Sequence, residues 1–407
     1  MIARSTLVTM PILDLSSLAD GFNENPYPHY ARLRESGPVH RVKTADGEEV
    51  WLIVGHDEAR QALAHPDVLK NWQTTDLYAG RTTTTSLSTN MLRSDPPHHT
   101  RLRRLVAGEF TARRVESLRP RVRQVTDELL DAMEAAPDRR GDLISSLAVP
   151  LPMTVICELL GVPDLDRDSF RRWCNEVVAP TGKEAETTAL REMSGYLAEL
   201  IGAKREHPGQ DLLSALIRSR NEDGDQLSPE ELAGMAFLLL LAGHETAVNM
   251  LGNGVRALLA HPEQLAALRA DTDGLIDGAV EEMLRYDGPV ESATYRFARA
   301  DLEIGGTLIE AGSPVLVSLA AADRDPARFP DPGPDVFDIR RAGQSHLAFG
   351  HGIHFCLGAP LARMEGRIAI RALLERFPDL ADDPQAGPPE WIPGTLIRGV
   401  KRLPVRW

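Results

Sequence analysis

The stretch Phe349-Gly350-His351-Gly352-Ile353-His354-Phe355-Cys356-Leu357-Gly358 is a glycine-rich loop that ends in a cysteine and runs into an amphipathic helical pattern. A thiolate that must hold a metal in a dry site needs backbone amides aimed at its sulfur, and glycines let the chain come close enough to supply them. A helix opening near Gly358 would add its positive end, which favours the ionised sulfur. The other two cysteines, Cys157 and Cys174, read as buried apolar packing residues. His351, His354 and Cys356 superficially match zinc-ligand spacing. No second Cys or His pair stands near them to complete a tetrahedral set, which argues against a structural zinc site.

Three further motifs carry charge or hydroxyls where an ordinary core would not. In Ala242-Gly243-His244-Glu245-Thr246, small Ala242 and Gly243 open room on one helix face, and Thr246, four residues on from Ala242, shares it. A mid-helix hydroxyl also commonly bonds back to the preceding turn. Glu245 is a carboxylate in an apolar segment, costly if unpaired, and His244 reads as a packing or network residue. Glu282-Met283-Leu284-Arg285 sets opposite charges three apart on a helix. In Asp95-Pro96-Pro97-His98-His99-Thr100-Arg101-Leu102-Arg103-Arg104, His99 and Arg103 face the same way, and a fork-shaped guanidinium suits a carboxylate. His98 reads as solvent-exposed.

The elements that must position these groups are mostly helical. Pro26–Ser36 and Asp57–Ala64 read as helices, and Val39–Val42 with Val50–Val54 flank Asp46-Gly47 as a hairpin. Periodicity fails from Lys70 to Leu92, a long irregular loop of the kind that usually serves function or is disordered. Helical patterns then run from Pro97 to about Ala270. Ser228, Pro229 and Glu231 form a capping-box signature, and the pattern that follows reaches about Ala260, roughly 50 Å at 1.5 Å per residue. Tyr295–Phe297 and Val315–Leu319 read as strands with Gly305-Gly306 as a turn. A Pro/Asp-rich meander, Asp323–Arg341, leads to the Cys356 loop, and Leu357–Phe377 is the last helix. A formal charge of −14 argues against non-specific nucleic-acid binding. Three cysteines give no disulfide framework and suit a reducing cytoplasm. The first twenty residues lack a membrane anchor or secretory signal, and the greasy run Met235–Ala242 is too short to span a bilayer.

The cysteine loop, the A-G-x-E-T segment, the E-x-x-R pair and the His99/Arg103 helix, in this order along the whole chain, resemble the cytochrome P450 family. The resemblance implies one mainly α domain over residues 1–407 with a small β region, binding haem b between the long helix and the cysteine loop. It implies that Cys356 ligates the iron, that Phe349 packs beside the sulfur, that Ala242 lies against the cofactor, and that His99, Arg103, Arg296 and His354 meet the propionates. Glu245 and Thr246 would deliver protons during dioxygen activation, Thr246 as a hydrogen-bond donor. Glu282 and Arg285 would be a buried pair holding the meander. The family often places an Arg just before the meander Phe, whereas Val336 precedes Phe337 here, so the third member of that ion network is open. Pocket candidates by position are Leu77, Tyr78, Leu87, Met91, Val177, Val178, Leu238, Leu241, Ala242, Ser292, Ala293, Thr294, Thr395 and Leu396. The implied activity is hydroxylation or epoxidation of a medium-to-large apolar molecule such as a macrolide, polyketide or steroid. No redox module is fused, so electrons would come from NAD(P)H through a separate ferredoxin reductase and ferredoxin, docking near Arg104, Arg113, Arg114, Arg363 and Arg367. Rival readings are oxidative coupling or peroxide use on the same scaffold, and a non-catalytic haem-binding sensor.

Overall fold

The capping box forms as its residues require. The Ser228 hydroxyl accepts from the Glu231 amide at 3.2 Å, and the Glu231 carboxylate accepts from the Ser228 amide at 2.8 Å. The helix so started runs over Pro229–Ala260, 32 residues, about 48 Å long. Residues 12–14, 21–44, 47–71, 86–108, 110–163, 167–178, 180–219, 224–341 and 345–407 are described in this computed structural model. Among them the long helix is long and apolar enough to cross a membrane, but it is largely buried inside the fold. Arg119–Glu134, Pro150–Leu160, Thr272–Tyr286 and Ala359–Arg376 pack around it in one apolar core.

Two helices, Arg167–Val178 and Lys183–Glu206, are locked to each other by an aromatic trio. Phe170 lies 5.4 Å from Trp173 and 5.0 Å from Tyr196 between ring centroids, and the Trp173 indole donates to Glu192 at 2.8 Å.

The small β region is a six-stranded sheet beside the helical body, ordered 13–14, 39–43, 49–53, 314–317, 296–298, 68–69. The expected hairpin is present with Val39 opposite Ile53. Trp51 pairs in parallel with Val315, and Arg296 sits antiparallel to Val315 on its other side. That pairing fixes the backbone from which Arg296 projects.

The meander between Asp323 and Arg341 has no regular helix or strand, so its shape depends on side chains. Arg285 donates to both Glu282 oxygens at 2.7 and 2.8 Å and to the carbonyls of Asp323, Pro334 and Val336. The open third place in this network is taken by Arg341, five residues beyond Val336. Its Nε lies 3.2 Å from Glu282, and its terminal nitrogen donates to the Gly333 and Val336 carbonyls. Val336 itself is exposed. Removing one partner from a buried ion network costs about 3–5 kcal/mol. Arg341→Ala is therefore expected to lower the unfolding free energy obtained from urea titration by about that much, and the midpoint with it, as Arg285→Ala would. A wild-type midpoint for Arg341→Ala would show that Glu282 and Arg285 suffice alone.

Candidate active site

The cysteine loop is folded back on itself by its own backbone. Gly350 donates to the Leu347 carbonyl at 2.7 Å, Phe355 to Gly352 at 3.0 Å and Cys356 to Phe349 at 2.9 Å. Gly352 adopts φ +74°, and a Cβ there would lie 2.7 Å from the Leu63 carbonyl oxygen, so the position needs glycine on both counts. Cys356 is exposed on its open side, yet enough protein surrounds the sulfur that burial pushes its thiol up. The amides of Gly358 and Ala359, with the charges of Arg103 and Arg363, pull it back. These are the amides expected at the start of the last helix, Ala359–Arg376. The Phe349 ring lies 6.3 Å from Phe355, with the Arg363 guanidinium 4.5 Å over its face.

On the long helix Ala242 is exposed. Gly243 is not part of that opening, contrary to expectation: a Cβ on it would meet Ile156 Cδ1 at 2.8 Å, so its smallness lets helix Pro150–Leu160 pack closely. The Thr246 hydroxyl donates to the Ala242 carbonyl at 2.6 Å. Its one proton is thereby used, and what it presents is lone pairs, the reverse of the donor expected. Burial pushes the Glu245 carboxyl up, while Asn249 donates to it at 3.1 Å. His244 is buried with neither ring nitrogen bonded, and burial lowers its pKa to about 4, so it is a neutral packing residue at pH 7.

The polar rim is a cluster of buried polar atoms without partners among the described residues. His99 and His354 lie 4.4 Å apart between ring centroids. Among the described residues, both ring nitrogens of His99, Nε2 of His354 and Nε of Arg296 are buried without a hydrogen-bond partner. Burial first, then the neighbouring cations, lower the His354 pKa to about 2, and burial lowers that of Arg296 to about 10. Arg103 donates to the Phe355 carbonyl at 2.8 Å. Sequence reasoning missed Lys70, whose ammonium donates to the Thr294 carbonyl at 2.8 Å, to the Thr294 hydroxyl and to the Tyr295 carbonyl at 3.2 Å. A lone lysine in an irregular loop carried no signal for this. His98 is half exposed, 3.5 Å from Glu231.

Among the pocket candidates, Leu77 and Tyr78 lie outside the described residues, as does the side chain of Val178. Leu87, Met91, Leu238 and Ser292 are buried, Leu241, Ala293, Thr294, Thr395 and Val177 are half-buried, and Leu396 is exposed. The Glu291 amide donates to the Leu396 carbonyl at 3.0 Å, which brings 292–294 beside 395–396. The arginine face expected for an electron donor is reduced. Arg363 is clamped on Glu281 at 2.6 and 2.8 Å, and Arg367 lies 2.7 Å from Asp277. Although burial pushes the Glu281 acid up, Arg363 and His346 hold it down to about 2. Arg104 and Arg113 stay exposed.

The family model for cytochrome P450 matches residues 10–175 and 174–397. The chain belongs to the cytochrome P450 family. It is 60% identical over 406 residues to cytochrome P450 monooxygenase PikC of Streptomyces venezuelae, covering 99% of this chain and 96% of that one. It is 45% identical to 6-deoxyerythronolide B hydroxylase of Saccharopolyspora erythraea, covering 98% and 99%. The structure of the tirandamycin C-bound P450 monooxygenase TamI superposes with a TM-score of 0.87 at 45% identity, covering 97% of this chain and 99% of that one. The protein is accordingly a P450 monooxygenase with a haem b cofactor. What is present fits that group: an amide-supported sulfur, an exposed small residue on the long helix, and polar atoms without partners among the described residues, suited to two carboxylates. Gly352→Ala is expected to displace the loop from Leu63, giving a lower Tm and less haem per protein in the pyridine haemochrome assay. Full haem content in that variant would mean the loop tolerates the move.

Proposed function

We propose that Cys356 is the iron ligand, with the Gly358 and Ala359 amides holding its sulfur ionised when the metal is bound. That amide-supported sulfur is the observation that carries the reading. His99, Arg103, Arg296 and His354 would hold the propionates, Phe349 would shield the sulfur, and Ala242 would lie against the macrocycle. Bound haem supplies the chemistry by which one atom of dioxygen enters a C–H or C=C bond and the other leaves as water, consuming two electrons and two protons.

The chain's own residues then manage protons. Thr246 offers lone pairs on the open face of the long helix, and Glu245, its carboxyl raised by burial, can carry a proton toward that face. This pair favours the dioxygen route over obligatory peroxide use and over a purely sensing role. The electrons would come from a separate ferredoxin and its NAD(P)H-linked reductase. The three free cysteines suit a cytoplasmic setting. The substrate reading is a medium-to-large apolar molecule of macrolide, polyketide or steroid type, entering beside Leu87, Met91, Leu238, Leu241, Ser292–Thr294 and Thr395–Leu396. It is supported by a relative named for hydroxylating 6-deoxyerythronolide B and by the tirandamycin C complex.

Cys356→Ser is expected to abolish the red-shifted Soret band of the reduced carbon monoxide complex; its retention would refute the ligand assignment. Thr246→Ala is expected to keep consuming reductant while releasing more hydrogen peroxide and less product. An unchanged yield per electron would leave Thr246 a helix residue only.

A further inference from the structure

Val68 pairs antiparallel with Ala298 and Leu69 with Phe297, so one residue further along Lys70 comes level with Arg296. Both are buried, 6% and 4% exposed. On its other side the strand that carries Arg296 is bulged: Arg296 lies four residues after Ser292, whereas their partners Val315 and Ser318 are three apart. A bulge leaves backbone groups off the ladder. The Lys70 ammonium donates to two carbonyls inside it, Thr294 at 2.8 Å and Tyr295 at 3.2 Å, and to the Thr294 hydroxyl. Lys70 thereby braces the segment that aims Arg296.

The backbone of Lys70 ties the same point to the other half of the polar rim. Its amide donates to the two Asp95 oxygens at 2.9 and 3.1 Å, and the Asn71 amide donates to the same carboxylate at 2.8 Å. The Asp95 carbonyl accepts from the His99 amide at 2.9 Å, and the His99 ring lies against His354. Burial lowers the pKa of both histidines, which leaves them neutral at pH 7. The buried and half-buried charges of the rim are then Lys70, Arg103 and Arg296 against Asp95. Among the described residues the three cations bond to carbonyls and a hydroxyl or keep free donors, and none has a carboxylate at ion-pair distance. Three positive charges less one negative leave two, the number that the two carboxylates of haem cancel. A buried ammonium among cations is costly unless anions complete it, and burial, then Arg296, lowers the Lys70 pKa well below its ordinary value while Asp95 opposes them.

We propose that Lys70 is a positioning residue for the cofactor: it braces the bulge that aims Arg296, supplies the third cation of the rim, and by that charge helps set the reduction potential of the haem. This role goes beyond the assignment of Cys356 and the propionate donors above and rests on it. A fixed positive charge beside haem favours the form that carries one more electron, so Lys70 makes the first electron easier to accept. It acts through Arg296 and through the field of the rim, without touching substrate.

The test reads the ferric/ferrous midpoint potential of the substrate-free, haem-loaded protein by spectroelectrochemical titration. Lys70→Gln keeps a donor for the Thr294 and Tyr295 carbonyls but loses the charge. It is expected to shift the reduction equilibrium about tenfold toward the ferric form, which for one electron is about 59 mV lower. Lys70→Arg keeps the charge and should stay within about twofold of the wild-type equilibrium. Asp95→Asn removes the opposing charge and should shift the equilibrium about threefold or more toward the ferrous form; it decides the matter if Lys70→Gln yields no haem-loaded protein. A wild-type potential in Lys70→Gln, an equal fall in Lys70→Arg, or an unchanged or lower potential in Asp95→Asn would each overturn the proposal. Failure of the haem-thiolate reading is a separate result, visible as an absent red-shifted carbon monoxide band in the wild type.

Discussion

The Glu282 carboxylate, 3% exposed, accepts at once from Arg285, from Arg341 and from the Asp338 amide at 2.9 Å. A buried acid so shared is tolerable because its charge is matched and its lone pairs are filled. The consequence runs outward through the chain. Arg285 holds the Asp323 carbonyl, the Asp323 carboxylate accepts from the Leu347 amide at 2.6 Å, Leu347 accepts from Gly350, and Phe349 accepts from Cys356. The sulfur's position is thus traceable, bond by bond, to one carboxylate on a neighbouring helix. No regular secondary structure in the meander could do this, so the side chains must.

The site on the other end of the cleft is built on the opposite principle. His99, His354 and Arg296 keep donor atoms buried without partners, and a buried unsatisfied donor costs about 1–3 kcal/mol. Burial first, and then the charges of the neighbouring groups, depress the pKa of His354 and keep it neutral there. A ligand with two carboxylates removes that cost when it binds. Its affinity is then partly stability withheld from the protein alone, and haem loading becomes coupled to folding.

How much of this was legible in the sequence follows from which contacts are local. The capping box, the long helix, the cysteine loop and its two amides all depend on residues within a few positions of one another, and spacing reports them. The Glu282–Arg285 pair was visible for the same reason, while Arg341 was not, because only the folded meander brings it to Glu282. Lys70 meets Thr294 across more than two hundred residues of chain. Gly243 was read on the correct helix but with the wrong neighbour, and Thr246 takes the back-bond to Ala242 that was one of the two roles open to it. A glycine's reason lies in what packs against it, here Ile156, and a hydroxyl's direction lies in its rotamer, neither of which a sequence prints. Arg363 looked like free surface charge because Glu281, which clamps it, is 82 residues away.

The aromatic trio joining Arg167–Val178 to Lys183–Glu206 has a mechanical consequence. Edge-on ring contacts in a packed core slide poorly, so a displacement of either helix carries the other with it. The pair is then one stiff panel whose travel is a collective motion on the microsecond-to-millisecond scale rather than a fluctuation of separate side chains. Val177 lies one turn beyond Trp173 and rides on the same panel. Were a ligand to enter past that edge, its admission and the approach of Val177 would be a single event with one rate constant.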